Sequence, residues 1–357
     1  MDRGSNKTTK ELLPGPMVWV MAAALGYMAM AVYLFKPHWG QWGRWQVLWP
    51  INMVVGASGI YVLGRRWIVS LPASLIGGAL YGFGPLALYL TRFHPIVGLV
   101  AAAIPWAFCP AVYVQSWAGS DVTPSKRSPL GQWLQWPLLA CPFLAILVVL
   151  GLLGRYHLFL IPLNAGPWRV DDWIGAVAPA LAVERGKMPI GVYHVPWAAV
   201  GIGLVMVIKA RRWLILVVCA AGGVLACCPP MMGTSPVIWL CVVMAWCAVL
   251  VGLGLEGFVL AGWADRKWLL VGLGVLAGLC VATLAWAAGH EPVGDLAGDG
   301  LMIHTLKMYA MGGVAIALVL AVLQLKLRVP GLRQVAVFGA AGLDIVLSAR
   351  LVADAVL

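Results

Sequence analysis

The sequence predicts an all-α, polytopic transmembrane helix bundle that crosses a bilayer ten or eleven times as a single membrane domain over residues 1–357. Three observations lead there. First, 62% of the residues are hydrophobic and only 10% charged, whereas a soluble domain carries about 25% charged residues to keep a solvated shell. Second, mean hydropathy is +0.92 and there are 19 Trp, a residue that favours the headgroup level, where one edge is wet and the body apolar. Third, apolar runs of about 20 residues, enough at 1.5 Å per residue to cross about 30 Å of hydrocarbon, recur along the whole chain.

Taken in order, these runs place spans near 16–35, 46–64, 67–90, 95–115, 134–154, 191–208, 213–232, 236–258, 268–288, 306–325 and 335–353. The polar start Met1–Lys10 leads into the first span without a small-residue cleavage site, so no removable signal peptide is expected. Asp344, Arg350 and Asp354 interrupt the last span. No internal repeat, low-complexity linker or soluble domain is evident.

Orientation follows from the cations. With the N-terminus in the cytoplasm, the inner segments hold Arg3, Lys7, Lys10, Arg65, Arg66, Lys126, Arg127, Lys209, Arg211, Arg212, Arg266, Lys267, Lys326, Arg328 and Arg333, fifteen of the 24 Lys and Arg. Such a bias marks cytoplasmic loops, and it accounts for the net charge of +11 without any nucleic-acid partner. The expectation is a multi-pass protein of the cell (inner) membrane, with lipid as its main surroundings.

On this map His38, His94, His157, His194, His290 and His304 all fall at or near the outer face. So do Asp171, Asp172, Glu184, Glu291, Asp295 and Asp299, while the inner face keeps Asp2, Glu11, Asp121 and Asp265. The one long loop, 155–190, repeats Val170, Trp173, Ile174, Val177 and Leu181 at helical spacing, which predicts a helix lying in the outer interface and bent at Pro179. Asp171 and Asp172 open it. Adjacent carboxylates there are ordinary caps of a helix start, and also candidates for catalysis, as a general base or as ligands of a metal–phosphate pair. The segment His290, Glu291, Asp295, Asp299, His304 mixes hard and imidazole ligands at a spacing that matches no established metal motif, and reads as a solvated turn. No cofactor is implied.

The eight cysteines lie in or near spans without a CxxC or zinc spacing, and read as small buried hydrophobes. Cys227, Cys228 and Cys241 flank one outer turn, so a disulfide or soft-metal site is the alternative there. Glu256 and Asp344 are the ionisable groups within spans, costly at that depth and therefore candidates for an ion or proton relay or an interhelix pair. The pairs Gly78/Gly82 and Gly274/Gly278 have the spacing that lets helices approach closely, within the chain or with other membrane subunits.

From Arg44 to Pro95, a basic turn at Gly64-Arg65-Arg66 precedes a small-residue helix with Gly77, Gly78 and Gly82, then Phe83-Gly84-Pro85 and His94-Pro95. This stretch resembles part of the multi-pass membrane glycosyltransferases that use polyprenyl-linked sugar donors. That family usually carries an acidic catalytic residue in its first outer loop. Here Lys36–Trp45 holds Lys36, His38 and Arg44 and no acid. The resemblance therefore implies either a base moved to Asp171 or Asp172, or an inactive relative.

Three function classes remain. The sequence points first to a structural or accessory subunit of a membrane complex, on its short loops, abundant Trp and glycine contact faces. The alternatives are an outer-facing enzyme on lipid-linked substrates and an ion-coupled transporter.

Overall fold

A computed structural model describes residues 16–41, 46–67, 69–117, 129–155, 167–169, 172, 175, 194–209, 213–231, 235–260, 266–290, 300–324 and 330–356. Its helices are α1 (Pro16–Phe35), α2 (Leu48–Trp67), α3 (Leu71–Gly82), α4 (Pro85–Phe93), α5 (Pro95–Trp117), α6 (Pro129–Arg155), α7 (His194–Lys209), α8 (Trp213–Cys227), α9 (Trp239–Leu260), α10 (Arg266–His290), α11 (Gly300–Gln324) and α12 (Pro330–Val356). Short 3₁₀ turns follow α1 at Lys36–Gln41 and precede α9 at Pro236–Ile238. The chain is an all-α helix bundle, with no β-strand among the described residues.

A helix stands at each of the eleven places where the apolar runs predict a span. Among the described residues, five of them have the length and apolarity to cross a membrane, and α3 with α4 makes a sixth if the bent pair counts as one span. Of the remaining helices, α7 and α8 are shorter, with 16 and 15 residues, about 23 Å at the helical rise.

The α9 helix is the centre. Its apolar window is 89% buried, against 28% for α1 and 22% for the window in α6, which lie at the periphery. Lipid is as apolar as leucine, so burial from water does not pull such helices together; close van der Waals packing does. The sequence supplies that with small residues. A Cβ on Gly203 of α7 would run into the Leu250 carbonyl of α9, and one on Gly254 of α9 into the Ala199 carbonyl of α7. This reciprocal pair lets α7 and α9 cross backbone to backbone. Bulk fills the remaining space: Phe108 packs edge-on against Trp246 at 5.5 Å and Phe143 stacks on Trp239 at 5.8 Å, seating α5 and α6 on α9. Outward-facing Met21, Leu25, Leu144, Val148, Val217 and Val275 are exposed apolar side chains, as a lipid-facing surface requires.

Candidate functional site

The span after α2 is broken. Pro85 has no N–H to give the Tyr81 carbonyl four residues back, and its ring clashes with a continuing helix. The chain therefore leaves the helix at Phe83, whose N–H still reaches the Ala79 carbonyl at 2.9 Å, and re-enters it beyond Gly84, bent by 41°. The Leu88 N–H closes the first turn of α4 on the Gly84 carbonyl at 3.0 Å. Irregular backbone at membrane depth persists only where protein or a cavity covers it. Here there is a cavity, lined among others by Asn52, Gly56, Tyr81, Gly82, Thr91 and Gly98, with Cys241 and Met244 of α9 as its inner wall.

Its polar wall is built from three helices. Asn52 is 3% exposed and donates through Nδ2 to the Pro95 carbonyl at 2.8 Å, which ties α2 to the start of α5. That bond orients the amide and leaves Oδ1 buried with no hydrogen-bond partner. Thr91 of α4 is also buried, and a methyl placed on Gly98 would stand 2.8 Å from Asn52 Nδ2 and 3.1 Å from Thr91 Oγ1. The Tyr81 hydroxyl is spent on the Ala101 carbonyl at 2.7 Å. Trp49 packs on Phe35 at 5.9 Å and under the Arg92 guanidinium at 5.1 Å.

Glu256 lies at the other end of the bundle. The Ser70 side chain makes no cap of its own at the start of α3; instead the Glu256 carboxylate, brought over on α9, accepts the Ser70 N–H. Nearby, Arg333 Nη2 donates at 3.0 Å to the Phe258 carbonyl in the last turn of α9, and Arg65 Nη1 donates to the Val69 carbonyl at 3.1 Å. A negative group thus meets a helix start and a positive one a helix end, the favourable sense of the helix dipole.

Asp344 is buried in α12 at 2% exposure, and the Ser348 hydroxyl one turn on donates to it at 3.4 Å. Further along, Arg350 Nε donates to Asp354 Oδ2 at 3.0 Å while its Nη1 donates to the Leu34 carbonyl at 3.2 Å. His38 Nε2 sits 3.3 Å from Asp354 Oδ1. Together these clasp the end of α1 to the end of α12. Sequence reasoning singled out His38 but read Arg350 and Asp354 only as interruptions. Their common side was legible, since the first and last spans both end at the predicted outer face.

Asp171 lies outside the described residues, as do Glu291, Asp295, Asp299 and most of the predicted interface helix. Asp172 accepts the Arg169 N–H through Oδ2 at 2.8 Å and returns its own N–H to the Arg169 carbonyl at 3.0 Å, the back-reaching half of a capping box. The Trp168 N–H ties this turn to the Ala226 carbonyl near the end of α8 at 3.0 Å. All eight cysteines are free thiols, including Cys227, Cys228 and Cys241, and no group of three or more metal-ligating side chains occurs among the described residues.

The two glycine pairs part company. Gly78 and Gly82 are filled by the chain itself: their Cβ positions fall 2.6 Å from the Ala57 carbonyl and 2.5 Å from the Met53 carbonyl of α2. They seat α3 on α2 and are closed to a partner. Gly274 and Gly278 have nothing within 4 Å among the described residues.

This fold is that of an integral, multi-pass membrane protein. Compared with known protein families, curated proteins and solved structures, the chain matches none.

Proposed function

We propose that the protein is a structural or accessory subunit of an assembly in the cell (inner) membrane, with its N-terminus cytoplasmic. The observation that carries this reading is the outward face of α10. Gly274 and Gly278, one turn apart, stand open beside the exposed apolar Leu270, Val271 and Val275. Such a face accepts another transmembrane helix at short distance, and closely packed small-residue contacts are what hold helices together in lipid. The fifteen inner cations support the orientation.

The test is the protein mass, by light scattering, of particles extracted from native membranes in mild detergent. The wild-type chain is expected well above its own 38.1 kDa. The Gly274→Leu/Gly278→Leu variant is expected at the mass of the lone, folded chain. A wild-type particle of a single chain would reject the subunit reading.

A second reading, ion-coupled transport, is supported by a different observation: the broken span with its polar cavity. Discontinuous helices are a common way for transporters to build sites near mid-membrane.

A further inference from the structure

The α3–α4 break carries an inference that stands apart from the subunit reading. Three features meet there. The Asn52 carboxamide oxygen is buried and unpartnered while its nitrogen is held by the Pro95 carbonyl. Leaving a buried acceptor empty is unfavourable, so an orphan of this kind in a native fold calls for an occupant. Tyr81 also lines the cavity, and its carbonyl receives no α-helical N–H because the residue four further on is Pro85. The Thr91 hydroxyl approaches the same wall across the bare Cα of Gly98.

The character of the site is set by what lines it. These are oxygen acceptors on an otherwise apolar surface, and no lining residue among those described carries a charge. An anion would find neither a cationic side chain nor an N–H from Pro85, the first residue of α4. Size decides the rest. About 20 Å³ is open to the centre of a water-sized occupant, enough for one water molecule or one monatomic ion and far too little for a sugar or a lipid headgroup. Neutral carbonyl and hydroxyl oxygens replace the hydration shell of an alkali cation, and a broken helix supplies such oxygens without a carboxylate.

We propose that the cavity at the α3–α4 break binds a single dehydrated alkali cation, held by Asn52 Oδ1, Thr91 Oγ1 and the Tyr81 carbonyl. The four cavity glycines Gly56, Gly82, Gly84 and Gly98 then serve to bring the oxygen-bearing helices close enough to share one ion.

The experiment uses the full chain, purified in mild detergent in choline chloride. Na⁺, K⁺ or Li⁺ is titrated against choline at constant ionic strength, and melting is followed by tryptophan fluorescence. Binding to the folded state alone is expected to raise the midpoint in a saturable way, by at least about 3 °C for the preferred cation. Thr91→Val, which keeps the shape and removes the hydroxyl, should raise the half-saturating concentration at least tenfold, and Asn52→Leu should abolish the response. Should Asn52→Leu not fold, Thr91→Val decides. A response equal for all four cations would mean that the cavity holds only water, and would overturn the proposal. A saturable response unchanged in Thr91→Val would place the ion elsewhere and overturn it equally. Neither result bears on the assembly test at Gly274 and Gly278.

Discussion

Glu256, on the central helix α9, accepts the backbone N–H of Ser70 at the start of α3, 186 positions away in sequence. An intramembrane carboxylate is thereby used as the N-cap of a helix it does not belong to. The arrangement also fixes α3, and so the cavity at its far end, to the middle of the bundle.

Replacing this group separates charge from hydrogen bonding. Glu256→Gln keeps an acceptor and loses only the dipole attraction, about 0.3–1 kcal/mol, whereas Glu256→Ala strands the half-buried Ser70 N–H at about 1–3 kcal/mol. Unfolding midpoints in detergent should therefore rank wild type, Gln, Ala. Were Glu256 a proton relay, Gln would instead leave stability near wild type while removing ion movement in reconstituted vesicles.

The clasp at the opposite end is only partly buried, with His38 and Asp354 side chains 18% and 36% exposed. A double-mutant cycle with His38→Ala and Asp354→Ala should give a coupling of about 0.2–1 kcal/mol, as partly exposed pairs do. Arg350→Met should cost more than either. It also releases the Leu34 carbonyl, and amide exchange should rise at the end of α1.

The glycines divide by environment. Gly203→Ala and Gly254→Ala each drive a methyl into a facing carbonyl, and overpacking of that kind costs about 1–3 kcal/mol. Gly274→Ala meets nothing within 4 Å among the described residues. It should leave the melting midpoint of the isolated chain unchanged or slightly higher, since Ala is the better helix former by about 1 kcal/mol. Equal losses at all three positions would contradict the α7–α9 crossing.

Asp172 in its cap predicts a mild phenotype. Asn keeps a side-chain oxygen to accept the Arg169 N–H and gives up only the charge, so Asp171→Asn/Asp172→Asn should assemble and support growth normally. If the pair were a general base or held a metal, the same change would cost about 10²–10⁴ in rate. Growth lost with assembly intact would favour the enzyme reading over the subunit.

Topology is testable directly. Reporter fusions after Arg66, Arg127, Arg212 and Lys267 should read cytoplasmic, and fusions near Asp172 and Asp295 external. A cytoplasmic signal at Asp172 would invert the assignment of sides.

Hydropathy is local, so a run of about 20 apolar residues needs no partner to declare itself, and the fold class and a helix at each of the eleven runs could be read from the sequence alone. The run 67–90 reads as one continuous span, and the structure breaks it at Phe83-Gly84-Pro85 into α3 and α4, because Pro85 has no N–H to give the Tyr81 carbonyl. Which residue meets which is settled by packing, not by local pattern. Glu256 looked like a buried charge until α9 was seen to carry it to Ser70. Gly78 and Gly274 have the same spacing motif, yet one is filled by α2 and the other stands open, a difference that no pattern within one helix encodes. Asn52, one uncharged amide near the start of α2, gave no signal in sequence. Its importance arises because Pro95 takes its nitrogen and three helices close around its oxygen, and partners so far apart along the chain become neighbours only through packing.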